Sequence, residues 1–147
     1  MKKLILLTLL VGFFSCSDDS NSESNNPLIG EWKLKSHIIN GDVINLNDCD
    51  KEESLLFTQN DVTHREYEDN QCGYTECTLT YYGKFGYTKN DDTLSLSLIS
   101  SMEYCSNPNG VDTTSTNPNQ FLEFPYSIVN GEFIYGDGDE YWIYIKN

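Results

Sequence analysis

The chain has 147 residues, a length that suits one domain. Its 23 acidic residues outnumber 9 Lys and Arg, so the formal net charge at pH 7 is −14. Binding to a phosphate backbone requires Lys and Arg that displace counterions. This charge therefore argues against a nucleic-acid partner, and an anionic membrane would repel the surface as well.

The first fifteen residues have the pattern of a secretory signal. Lys2 and Lys3 give a positive start, residues 4–14 form an apolar run, and a small residue precedes Cys16. This run is too short for a membrane-spanning helix. A cysteine directly after the small residue resembles a bacterial lipoprotein signal, in which Cys16 is acylated and becomes the mature N-terminus. The alternative is ordinary signal cleavage nearby, which leaves a plain thiol.

A polar spacer separates this leader from the patterned part of the chain. Residues 17–26 are all Ser, Asn, Asp or Glu, so they have no apolar surface to bury. We predict a signal peptide over residues 1–15, an acylated cysteine with a disordered acidic tether over residues 16–27, and one domain over residues 28–147. The expected location is the outer membrane, on its periplasmic side or on the cell surface, with membrane contact through the lipid alone.

Four cysteines remain after Cys16, and an even number in an exported domain indicates disulfides. They are Cys49, Cys72, Cys77 and Cys105, which allow three connectivities. A zinc site is the rival use, but no CxxC is present and the histidines lie far off in the sequence. We therefore expect disulfides, no metal and no cofactor.

Apolar and polar residues alternate with a period of two from Leu28 onward, which indicates β-strands. The first strand places Trp32, Leu34 and Ile38 on its inner face and His37 on its outer face. A hairpin is predicted from Ser54 to Glu68, followed by a strand over Cys77 to Tyr82.

The clearest strand is Thr93 to Ile99, in which Leu94, Leu96 and Leu98 face inward. Residues 106–119 form a long polar loop, beside which we expect the mouth of any cavity. Asn130-Gly131 predicts a type I′ hairpin. The last strand is predicted to turn Tyr141, Ile143 and Ile145 inward, with Trp142 and Tyr144 outward.

Three features together resemble the lipocalin-like domains of short bacterial lipoproteins. They are Gly30-x-Trp32 at the head of the first strand, the cysteines at positions 49 and 72, and an aromatic turn at Gly83-Lys84-Phe85. The resemblance implies an all-β fold, an antiparallel up-and-down β-barrel of about eight strands stapled by disulfides. It also implies that Trp32 plugs the closed end of the barrel beneath a basic residue of the last strand, here Lys146.

The same resemblance implies a disulfide pairing. Relatives share a pair at the positions of Cys49 and Cys72, which leaves Cys77 to pair with Cys105.

An eight-stranded barrel is just wide enough to be filled by side chains or to hold one small ligand. The sequence leaves both outcomes open. Side chains expected to face a ligand are Leu34, Leu79, Tyr81, Leu94, Leu96, Phe124, Tyr126, Tyr141 and Ile143.

Catalysis has little support, because the only histidines, His37 and His64, have no motif partner and are expected to be exposed strand residues. We predict no catalytic residues and no enzyme. The first hypothesis is a monomeric, lipid-anchored barrel that binds a small apolar or amphipathic ligand. The second is a surface interaction module, an inhibitor or adhesion factor, with a filled core and functional outer loops.

Overall fold

The computed structural model describes residues 26–69, 76–104, 113–115 and 120–147. The predicted signal, Cys16, Cys72, Cys105 and most of the loop 106–119 lie outside these residues. The described strands are β1 (Gly30–Ile39), β2 (Asp42–Ile44), β3 (Ser54–Phe57), β4 (Asp61–Glu68), β5 (Thr78–Asn90), β6 (Thr93–Glu103), β7 (Thr113–Ser115), β8 (Phe121–Val129), β9 (Glu132–Asp137) and β10 (Glu140–Lys146). A 3-10 turn at Asp50–Glu52 precedes β3. In these ranges no helix is long and apolar enough to cross a membrane.

Eight of the strands form a closed antiparallel barrel. β1, β3, β4, β5, β6, β8, β9 and β10 pair in that order, and β10 pairs back onto β1. β2 extends one end of β1, and β7 pairs with the end of β6. The predicted all-β, up-and-down barrel of about eight strands is confirmed.

Local sequence explains where the chain turns and which side chains face inward. Asn130 and Gly131 both have positive φ, at 53° and 81°, as the type I′ hairpin between β8 and β9 requires. Along β6, Leu94, Leu96 and Leu98 are buried, while the residues between them are not. The predictions for this turn and this strand are therefore confirmed.

The predicted turn at Gly83 is wrong, because β5 runs through it without interruption. A Cβ at Gly83 would lie 2.5 Å from the Tyr81 hydroxyl oxygen and 2.6 Å from a carbon of the Phe85 ring. The glycine therefore makes room for two aromatic side chains inside the strand. Its function is close packing, which a sequence pattern does not separate from a turn.

The predicted faces of the last strand are also wrong. Tyr144 is fully buried, whereas Ile145 keeps 43% of its surface exposed. Tyr144 pairs with Leu34, and Trp142 pairs with His37, on opposite sides of a register shift in β1. This bulge moves His37 onto the inner face, together with Trp142 and Tyr144. Both faces of β10 are apolar, so alternation alone could not decide between them.

The disulfide joins Cys49 to Cys77, with the two Cα atoms 5.2 Å apart. Both predicted bonds, Cys49 to Cys72 and Cys77 to Cys105, are therefore wrong. Cys49 lies directly before the 3-10 turn that leads into β3, and Cys77 directly before β5. Since β4 lies between β3 and β5 in the barrel, the two cysteines meet at the same end of it. This proximity depends on strand pairing, which cysteine spacing does not show.

Candidate functional site

The barrel encloses a cavity of about 320 Å³. This volume is at the lower end of the range for small-molecule sites. The interior is therefore not filled by side chains. The residues that line it are Leu55, Phe57, Val62, His64, Glu66, Tyr81, Phe85, Leu94, Leu96, Gln120, Leu122, Phe124, Phe133 and Tyr135.

Phe133 forms the floor of the cavity and separates it from the closed end of the barrel. It has no exposed surface, and its ring centroid lies 5.6 Å from that of Phe57 and 5.7 Å from that of Trp32. Trp32 does not line the cavity. The floor is therefore a packed aromatic layer with the Trp32 indole behind it.

The closed end is built around the Trp32 indole. Its Nε1 donates a 2.7 Å hydrogen bond to the carbonyl oxygen of Leu28, which is itself fully buried. Lys146 Nζ lies 5.3 Å from the indole centroid and donates to the Pro27 carbonyl at 3.3 Å. Gly30 has a φ of 128°, a conformation that other residues rarely adopt. The structure thus brings Gly30, Trp32 and Lys146 together.

One wall of the cavity is polar, and β4 supplies its centre. His64 Nε2 lies 3.1 Å from Glu53 Oε1 and 3.4 Å from Glu66 Oε1. The Tyr144 hydroxyl donates to the same Glu53 carboxylate from behind the wall. Tyr81 packs edge-on against the His64 ring at a centroid distance of 5.7 Å. The name polar wall is used below for Glu53, His64, Glu66, Tyr81 and Tyr135.

Burial raises the pKa values of three side chains in the polar wall. It raises the pKa of Glu66 above its usual value; His64 opposes that shift, and the neighbouring carboxylates of Glu53, Glu68 and Glu103 add to it. Burial also raises the pKa of Tyr81 and holds that of Tyr135 far above its usual value. Both phenols therefore keep their protons at neutral pH and can donate hydrogen bonds.

The sequence profile of the lipocalin-like domain matches residues 28–121. The chain belongs to the lipocalin-like domain family. No curated protein matches its sequence.

The lipocalin-like protein also resembles two solved structures. A lipocalin-like protein from Bacteroides uniformis superposes with a TM-score of 0.54 at 12% identity, covering 82% of this chain and 99% of that one. An uncharacterized protein from Bacteroides eggerthii gives a TM-score of 0.51 at 11% identity, covering 81% and 98%. At these identities the likeness concerns the fold alone.

Four of the nine predicted ligand-facing residues of this lipocalin-like protein line the cavity: Tyr81, Leu94, Leu96 and Phe124. Leu34 is buried in the core, and Tyr126 packs against Phe133. Leu79 is not part of the lining. Tyr141 and Ile143 lie on the opposite face of β10 from the buried Tyr144, so their prediction as cavity residues is wrong.

The sequence prediction missed His64, Glu66 and Tyr135. His64 and His37 were expected to be exposed, yet their side chains keep only 18% and 19% of their surface. A signal was present for two of them, because His64 and Glu66 follow Val62 at intervals of two residues and so share its face of β4, and Val62 is 1% exposed. In the structure His64 and Glu66 face the cavity instead of the solvent outside the barrel. In the described ranges no group of three His, Cys, Asp or Glu is arranged to hold a metal.

Proposed function

We propose that this lipocalin-like protein binds one small apolar or amphipathic ligand inside its barrel, without turnover. The observation that carries the proposal is the cavity, which combines an apolar lining with a few polar groups on one side. Ligand sites typically have this composition, since apolar surface supplies affinity and a small number of polar groups fix orientation.

The lining has an apolar part and a polar part, which indicates a ligand with an apolar body and a polar head group. Phe85, Leu94 and Leu96 are each under 10% exposed and offer an apolar surface to a ligand body. The polar wall lies beside them and offers hydrogen-bond partners to a ligand head group. An amphipathic molecule satisfies both surfaces at once.

Access to the cavity is supported by the start of β8. Gln120 and Leu122 line the cavity and are also exposed, Leu122 at 42%. They directly follow the loop beside which the sequence predicts the mouth. We infer that ligands enter here.

Filling the cavity tests this function. Leu96→Phe adds a ring inside the cavity, whereas Ile99→Phe adds the same ring on the same strand at a position that is 50% exposed. We expect the fluorescent apolar probe ANS to bind the native protein and the Ile99 variant, and to bind the Leu96 variant at least about tenfold more weakly, a difference of about 1.4 kcal/mol.

Native mass spectrometry of the purified protein complements the probe by looking for a retained small molecule. Absence of any retained molecule, together with no ANS binding by the native protein, contradicts the proposal. Equal weakening in the two Phe variants also contradicts it, because the loss would not then depend on the cavity.

We also propose that the protein is exported and anchored by acylation of Cys16, as an outer membrane lipoprotein. The signal pattern of residues 1–15 and the polar tether support this. The chain enters the domain at the closed end, where Asn26 Nδ2 donates to the Tyr87 hydroxyl. The anchor would thus attach on the other side of Phe133 from the cavity, leaving the cavity free to receive ligand.

Expression of the full-length chain tests the anchor. We expect the native protein in the membrane fraction, with a mature N-terminus at Cys16 that carries acyl chains by mass spectrometry. Cys16→Ser is expected to leave the membrane fraction. An unmodified Cys16, or an N-terminus elsewhere, contradicts the anchor without touching the binding proposal.

A second candidate function, a surface interaction module, is supported by apolar side chains on the outer wall. Val43 is 69% exposed and Ile44 37%, and Ile145 nearby on β10 is 43% exposed. This candidate predicts partner binding that survives Leu96→Phe and is lost with Val43→Asp. The two functions are therefore separated by the same cavity-filling variant.

A further inference from the structure

The polar wall carries more negative charge than its one basic partner can neutralise. Glu53 and Glu66 both approach His64 Nε2, at 3.1 and 3.4 Å. A single imidazolium carries one positive charge, so one carboxylate remains uncompensated even when His64 is protonated. Among the described residues that line the cavity there is no Lys or Arg.

Four carboxylates elsewhere in the described chain have lysine partners. Glu52 pairs with Lys33 at 3.0 Å, and Asp61 pairs with Lys84 at 3.0 Å. Glu132 and Asp48 are likewise paired with lysines. Arg65 lies between His64 and Glu66 in sequence, so its side chain points to the opposite face of β4. The Glu66 carboxylate in the cavity therefore lacks the kind of lysine partner that these four carboxylates have.

We propose that the cavity selects ligands with a positively charged amine on an apolar body and discriminates against ligands that end in a carboxylate. This inference rests on the proposed ligand-binding function and adds the chemical class of the head group. An ammonium group supplies three hydrogen-bond donors and the missing charge. A carboxylate would instead approach the carboxylate of Glu66, and like charges repel.

The geometry accommodates such a ligand in one orientation. Its ammonium group would donate to the Glu66 carboxylate, which lines the cavity and keeps 43% of its side chain exposed. Its apolar body would lie along Leu94 and Leu96 towards the Phe133 floor.

Three probes of equal chain length test the head-group preference by calorimetry at pH 7 and low salt: octylamine, octan-1-ol and octanoate. We expect octylamine to bind the native protein about tenfold or more tightly than octan-1-ol, as hydrogen bonds to a charged group allow. Octanoate is expected to bind most weakly of the three.

Glu66→Gln removes the charge and keeps the shape of the side chain. It is expected to lose most of the preference for octylamine over octan-1-ol and to improve octanoate binding, because the amide keeps a hydrogen-bond acceptor but not the charge. Glu123→Gln is the matched control, because Glu123 is exposed on β8, does not line the cavity and accepts a hydrogen bond from Ser95 at 3.0 Å. The control is expected to retain the native order of affinities.

The outcomes separate this inference from the function on which it rests. If none of the probes binds the native protein, the ligand-binding proposal fails. If octan-1-ol binds as tightly as octylamine, ligand binding stands and the amine preference is overturned. The comparison within the native protein needs no variant, so it decides the question even if Glu66→Gln folds poorly.

Discussion

The closed end and the polar wall of this barrel treat charged groups in opposite ways. At the closed end a single cation, Lys146, covers a buried indole, and the indole N–H is paired with the carbonyl of Leu28. At the polar wall two carboxylates approach one histidine, and one of them, Glu66, lines the cavity. At the closed end, the indole N–H and the lysine amine both have partners, and this region stabilises the fold. The polar wall keeps unbalanced charge in contact with a space that a ligand can fill.

Trp32→Ala should produce the largest effect, because it removes the side chain at the centre of the closed end. We expect a loss of about 3–5 kcal/mol in the free energy of unfolding, as for other buried Trp and Phe truncations. Urea denaturation followed by circular dichroism measures it. Phe124→Ala is the control, since its ring already faces the cavity and leaves less new void. Equal losses in the two variants would abolish the contrast between the regions.

Removal of the Cys49–Cys77 disulfide should have the second-largest effect on stability, and it should affect the polar wall most. Cys49 and Cys77 enclose a segment that contains Glu53, His64 and Glu66. For a sequence separation of 28 residues, the chain-entropy estimate gives about 3–4 kcal/mol. We expect a Cys49→Ser, Cys77→Ser double variant to lose that much stability in urea.

Peptide mapping without reduction checks the bond itself. It should yield a fragment that joins Cys49 to Cys77. A fragment that joins Cys49 to any other cysteine would refute the pairing and, with it, the proposed support of the polar wall.

Glu66→Gln should alter stability in a pH-dependent way. The pKa of Glu66 is raised in the folded protein, so the folded state holds this proton more tightly than the unfolded chain does. Its contribution is therefore favourable at pH 4 and is lost as pH rises through the folded pKa. Glu66→Gln has no carboxylate to ionise, so its stability does not fall with pH in this way. At pH 7 we expect its free energy of unfolding to exceed that of the native protein by under about 1 kcal/mol, because the Glu66 side chain is partly exposed.

Thermal unfolding at pH 4 and pH 7 measures this difference. The gain should be present at pH 7 and absent at pH 4. A gain that is equal at both values would show that the Glu66 carboxylate is as well solvated as in the unfolded chain.

Lys146→Met should have the smallest effect, since it removes the charge over Trp32 while keeping most of the apolar stem. A loss of about 0.5–1 kcal/mol is expected for an exposed cation–π contact. Lys89→Met serves as the control, because the Lys89 amine is exposed and donates to the Asn26 side chain at 3.3 Å rather than covering an aromatic ring. Indistinguishable urea curves for the two variants would remove Lys146 from the closed end as a stabilising group.

The fold was predictable because its main signals are local. Alternation along β6 and the Asn130-Gly131 turn each follow from a few neighbouring residues. The Gly30 and Trp32 pattern placed the first strand correctly. Such features require no knowledge of which strands become neighbours.

The polar wall was not predictable in the same way. A histidine and a glutamate on a strand normally indicate a solvent face, and only the closure of the barrel puts them inside. The faces of β10 depended on a bulge in β1, and the partner of Cys49 depended on the order of strands in the sheet. Each of these depends on contacts between distant parts of the chain, which a single sequence does not show.

The aromatic rings of β10 have one further consequence. Trp142 is stacked between His37 and Tyr135. Its ring centroid lies 4.6 Å from that of His37, with an interplanar angle of 11°, and 5.2 Å from that of Tyr135, with an interplanar angle of 16°. The only other tryptophan, Trp32, is sealed behind Phe133. Because Tyr135 lines the cavity and stacks on Trp142, we expect the fluorescence emission of Trp142 to change when a ligand contacts Tyr135.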